Sequence, residues 1–82
     1  MVIGDDKNEF LYLFGERLKH LRMDKKLSFR QLAQNCNLDY SDISKIEKGE
    51  RNIQLSTVLE LAKGLGVQPK DLFYFEIKIS KD

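Results

Sequence analysis

Eighty-two residues suffice for one domain with a single modest core. Apolar residues at 41%, aromatics at 10%, one proline and five glycines are ordinary for a globular chain and argue against disorder. The net charge of +1 says little by itself, and the lone Cys36 excludes an internal disulfide.

The charges are unevenly placed. Between Arg17 and Arg51 stand nine basic and five acidic residues, while the remainder holds five basic and eight acidic ones. A polyanion is drawn to the middle of this chain. No apolar stretch is long enough for a bilayer, and the start from Met1 to Lys7 lacks the pattern of a secretory signal. The expected location is the cytoplasm, where a single thiol stays reduced.

Taken in order, Leu11, Phe14, Leu18 and Leu21 recur at helical spacing and predict an amphipathic helix over about 9–25. Ser28 is placed to cap a second helix, 28–36. Gln31 completes a capping box, and Leu27 and Leu32 form a hydrophobic staple. Asp39 is placed to cap a third helix, 39–48, with Leu38 and Ile43 as its staple. Asn37 is the expected turn residue between these two, since asparagine tolerates positive φ. Ala33 is the expected point of close crossing between them. A fourth helix spans 55–65 and is ended by Gly66; Gly49 plays the same part after the third. A fifth helix starts at Pro69, after the weak cap Gln68, with Val67 and Leu72 as staple. In the tail, Phe75, Ile77 and Ile79 alternate with polar residues as in a short strand. Such a strand needs a partner, so this segment either forms a dimer seam with a second subunit or covers the core. The expected architecture is all-α and compact, one domain over 1–82 with its core at about 9–73 and a tail at 74–82.

Two short helices joined by a tight turn suit presentation of the second one to a DNA major groove. Four segments, in order and at these spacings, carry a wider resemblance. They are the run from Gly15 to Arg22, the run from Leu27 to Ala33, the run from Ile43 to Asn52, and the run from Leu59 to Val67. Together they resemble the Cro/lambda-repressor-like (Xre) helix-turn-helix family over about 14–73. The short length and the Phe-rich tail are most similar to its restriction-modification controller branch. The resemblance implies a homodimeric regulator that binds a pseudo-palindromic site on double-stranded DNA, with RNA polymerase a further candidate partner, and no cofactor, metal, membrane or enzymatic role.

It also implies site residues. Tyr40, Ser41 and Lys45 fall on the groove-facing side of the recognition helix, 39–48, with Asp42 beside them. Lys45 suits guanine O6 or N7, Ser41 suits several bases, and Tyr40 suits a thymine methyl or a phosphate. Asp42 suits the amino group of cytosine or serves the helix cap. Ser28 at a helix N-terminus suits a phosphate, as do Lys48, Arg51 and Asn52 at and after the end of the recognition helix; Arg30 and Lys26 are further candidates. Arg22 and Glu47 are implied to form an inward ion pair with a structural role. The family often has glutamine at Phe29, glycine at Lys26 and Asn37, and proline at Ile53.

Plainer readings stand beside these. Tyr40, Ser41 and Lys45 also fit a protein-binding helix, and Lys48, Arg51 and Asn52 fit a solvated helix end. His20 lacks companions at metal-ligand spacing and reads as a surface residue. Cys36 reads as a buried small hydrophobe, with redox sensing the less favoured alternative. The rival function is an antitoxin-type module that binds a toxin. RNA binding is less favoured, because A-form major grooves are too narrow for a helix.

Overall fold

The computed structural model describes residues 6–79. Four α-helices follow one another: α1 Asp6–Asp24, α2 Phe29–Gln34, α3 Tyr40–Glu47 and α4 Leu55–Leu65. A 3-10 helix, Pro69–Phe73, completes the chain of elements, and no strand forms among the described residues.

Helix α1 begins three residues earlier than its apolar pattern predicts. Asp6 and Glu9 occupy its first turn, where carboxylates favour the positive end of the helix. Its inner stripe buries Phe14, Leu18 and Leu21. After Asp24 the chain turns at Lys26, whose φ of 59° is the left-handed conformation. Lys26 is the one described residue other than glycine with positive φ, so Asn37 lies in the expected turn but without a positive φ. The turn after α2 instead closes through ordinary backbone, with the amide of Cys36 donating to the Ala33 carbonyl at 3.3 Å.

The capping box before α2 forms as its sequence suggests. The Gln31 amide donates to Ser28 Oγ at 3.1 Å, and the Ser28 amide donates to Gln31 Oε1 at 2.8 Å. Helix α2 stops at Gln34 rather than Cys36. Asp39 occupies the cap position of α3 with extended backbone, but its carboxylate makes no capping bond. Gly49, at φ 77°, closes the far end of α3, and the Glu50 amide returns to the Lys45 carbonyl at 3.0 Å.

The expected fifth helix is a short 3-10 piece. Pro69 supplies no N–H, and the tighter winding turns Leu72 fully inward. The Asp71 carboxylate accepts from the Gln68 amide at 3.1 Å. The described part of the tail, 74–79, forms no strand. Tyr74 adopts φ −80° and ψ 73°, and the Phe75 amide donates to the Phe73 carbonyl at 2.8 Å, an inverse γ-turn. That turn sets Phe75 against Phe10, with ring centroids 5.7 Å apart.

Every element sends apolar side chains into one core. Leu18 of α1, Leu32 of α2, Ile43 of α3, Leu61 of α4 and Leu72 are wholly buried. Helix α1 passes close to the backbone of α3 at Gly15, where an added Cβ would sit 2.5 Å from the carbonyl oxygens of Ile46 and Glu47. Ala33, expected at the crossing of α2 and α3, is half-buried against the core.

Candidate nucleic-acid interface

The site is built on α3. Ile43 and Ile46 are 0% and 3% exposed and anchor the helix from behind. With 100° between successive residues, Ser41, Lys45 and Lys48 lie on the opposite side, and all three are exposed. They form an outward polar line with two positive charges.

Two arginines flank this line, each engaged by a residue of α3. The Arg30 guanidinium lies over the Tyr40 ring, 4.5 Å from its centroid. Arg51 Nη2 lies 3.4 Å from Asp42 Oδ1. Neither contact is legible in the sequence, since Arg30 belongs to α2 and Arg51 to the loop after α3. Ser28 is exposed at the start of α2 with its oxygen already accepting the Gln31 amide. Asn52 is exposed beyond Arg51, and Lys26 is exposed in the turn before α2.

Beneath this surface lies the ion pair between α1 and α3. Arg22 Nε donates to Glu47 Oε2 at 2.6 Å, and Nη2 donates to Oε1 at 3.2 Å. Nη1 donates to the Leu27 carbonyl at 2.7 Å, and the Phe29 ring stacks on the guanidinium at 4.2 Å. Phe29, at a position where glutamine is common, thus covers the ion pair rather than adding a polar group to the outer surface. The pair ties α1 to α3, and all three guanidinium nitrogens are engaged.

An open groove of about 590 Å³ runs along α1 beside α3, with Lys19 and Lys48 both in its lining. Lys19 was not among the sequence candidates; its i+3 spacing from Arg22 on the ion-pair side was the available signal. On the far side of Arg51 and Asn52, which share its rim, Phe10, Ile53, Leu55, Val58 and Phe73 line a mainly apolar hollow of about 310 Å³. Leu55 there is 82% exposed, and Leu59 one turn further is 49% exposed.

His20 is exposed on α1. Among the described residues no group of three or more His, Cys, Asp or Glu is placed to hold a metal, and no helix is long and apolar enough to cross a membrane. Cys36 is half-buried, not fully buried as its sequence position suggests. Its Sγ meets the Leu32 carbonyl at 3.3 Å, and burial pushes its thiol pKa up.

A family model described as a helix-turn-helix domain matches residues 13–73. Control protein C.BamHI of Bacillus amyloliquefaciens is similar at 42% identity over 69 residues, covering 83% of this chain and 85% of that protein. Among solved structures, the restriction-modification controller protein C.AhdI of Aeromonas hydrophila superposes with a TM-score of 0.75 at 43% identity, over 77% of this chain and 96% of that one. The controller protein C.Esp1396I, solved as a tetramer with its natural 35-base-pair operator, superposes with a TM-score of 0.73 at 31% identity, over 78% of this chain and 84% of that one.

Proposed function

The chain belongs to the helix-turn-helix domain family, among the relatives of restriction-modification control proteins, and on that premise we propose that it binds operator DNA as a homodimeric transcriptional regulator. The observation that carries this reading is the outward line of Ser41, Lys45 and Lys48 on a helix held from behind by Ile43 and Ile46. Lys45 donates to a guanine edge, Ser41 to an adjacent base, and Lys48 to the backbone of the same strand. Ser28, Arg30 and Asn52 supply phosphate contacts on either side, with Tyr40 holding Arg30 by its ring. Two copies place their recognition helices about 34 Å apart, in successive major grooves of a pseudo-palindrome. The exposed Leu55 and Leu59, beside Phe10 and Phe73, are where the second copy would pack. The role is regulatory rather than catalytic, in the cytoplasm, at a promoter where the bound dimer blocks or recruits polymerase.

The test is a mobility shift with the DNA upstream of the gene, run across salt concentrations. A dimer neutralising about six to ten phosphates loses roughly three to five decades of affinity between 50 and 200 mM salt. Lys45→Ala should relax the preference at one base pair while leaving the others. Salt-insensitive binding, or equal affinity for every sequence, would contradict the reading.

A further inference from the structure

We propose that Asp42 and Arg51 act as one unit that reads a single G·C base pair in each half-site, an inference that rests on the DNA-binding reading above. Asp42 is the third residue of α3, beside the outward line of Ser41 and Lys45. Arg51 is nine residues further on, yet the two side chains meet. The left-handed turn at Gly49 and the return of the Glu50 amide to Lys45 fold the chain back along α3. Arg51 thereby reaches the N-terminal half of the helix that sequence reasoning placed in the groove.

Folding stability does not account for the pair. The two side chains are 44% and 40% exposed, and exposed ion pairs add little. Nor does the pair suit the phosphate contact expected of Arg51, because a carboxylate 3.4 Å away would repel the phosphate. At that distance the contact is looser than a two-point fork. The guanidinium keeps most of its five N–H donors, and the carboxylate keeps acceptor positions.

Side by side, the pair presents two donors and then an acceptor. The major-groove edge of a G·C pair presents N7 and O6 as acceptors and then the N4 amino donor of cytosine. The two patterns are complementary. An A·T pair presents an acceptor, a donor and an acceptor, so one guanidinium N–H would face the adenine amino group and the carboxylate would face thymine O4. Asp42 thus does two things: it holds Arg51 over guanine, and it penalises any pair without a donor at the third position.

The experiment uses the full-length chain. Bound DNA is selected from a random pool, and the selected site and its single-base variants are then titrated at two salt concentrations. The wild type should prefer G·C over A·T at one position by about ten- to a hundredfold. Arg51→Ala and Asp42→Ala should each erase that preference, the double variant should lose nothing more, and preferences elsewhere should stay. Melting curves should confirm that the variants fold, as expected for exposed residues. If Arg51→Ala weakens all sites equally and lowers the salt slope by about one, Arg51 is a phosphate contact and the proposal is wrong. Uniform tightening of all sites by Asp42→Ala would equally overturn it, because the carboxylate would then only repel DNA. A wild type that selects no sequence overturns the DNA-binding reading as well; one that selects a site whose variants keep its profile overturns the pair alone.

Discussion

Removing the carboxylate of Glu47 tests how α3 is held in place. Glu47 meets Arg22 at 2.6 Å and 3.2 Å, and the two side chains are only 5% and 12% exposed. In Glu47→Ala the guanidinium keeps the Leu27 carbonyl at 2.7 Å and the Phe29 ring at 4.2 Å, but its charge is no longer neutralised. Stranding one member of a buried pair costs about 3–5 kcal/mol, and the two surviving contacts put this site near the lower end. Against a typical stability of about 5–10 kcal/mol for a small domain, the variant folds but loses roughly a third to a half or more of its margin, about 3 kcal/mol. With a urea slope of about 1.5 kcal/mol per molar, the midpoint should fall by about 2 M, followed by circular dichroism. Replacing both partners, Arg22→Met with Glu47→Leu, should return stability to within about 1 kcal/mol of the wild type. A midpoint shift below about 0.5 M for Glu47→Ala, or a double variant worse than both singles, would refute the buried-pair argument.

Gly15→Ala should destabilise by about 2–3 kcal/mol in the same titration, because the new methyl meets backbone of α3 that cannot swing aside. Gly66→Ala meets open space and should cost only about 1 kcal/mol, the strain of φ 72°. Leu55→Asp with Leu59→Asp should leave folding intact and shift sedimentation from dimer to monomer, with operator affinity falling by at least tenfold; an unchanged dimer would move the seam elsewhere. Because burial raises the Cys36 pKa, less thiolate is present at a given pH, so alkylation near pH 8.5 should be slower in the folded protein than in urea, and its pH profile should lie higher. Equal rates would mean that the thiol is open to solvent.

Much of this molecule was legible because its signals are local. Ser28 and Gln31 form their box from three residues apart, Gly49 and Gly66 end their helices, and Leu18 and Leu21 of α1 and Leu61 and Leu65 of α4 face inward. Such features depend on backbone geometry within one turn, which residue order sets directly. The alternation of Phe75, Ile77 and Ile79 misled for the same reason. Period two is a strand signal only when a second strand exists, and here an inverse γ-turn sends Phe75 back onto Phe10 instead.

Residue order alone determined the helix sequence, most of the buried stripe of each helix (Leu59 of α4 is exposed instead) and which residues of α3 face outward. The packed fold decided the rest. It brought Arg51 to Asp42 and Arg30 to Tyr40, pressed α3 onto Gly15, and put the positive φ at Lys26 rather than Asn37. Those outcomes depend on the angle and depth at which helices cross, and that geometry is a joint property of all the buried side chains rather than of any local run.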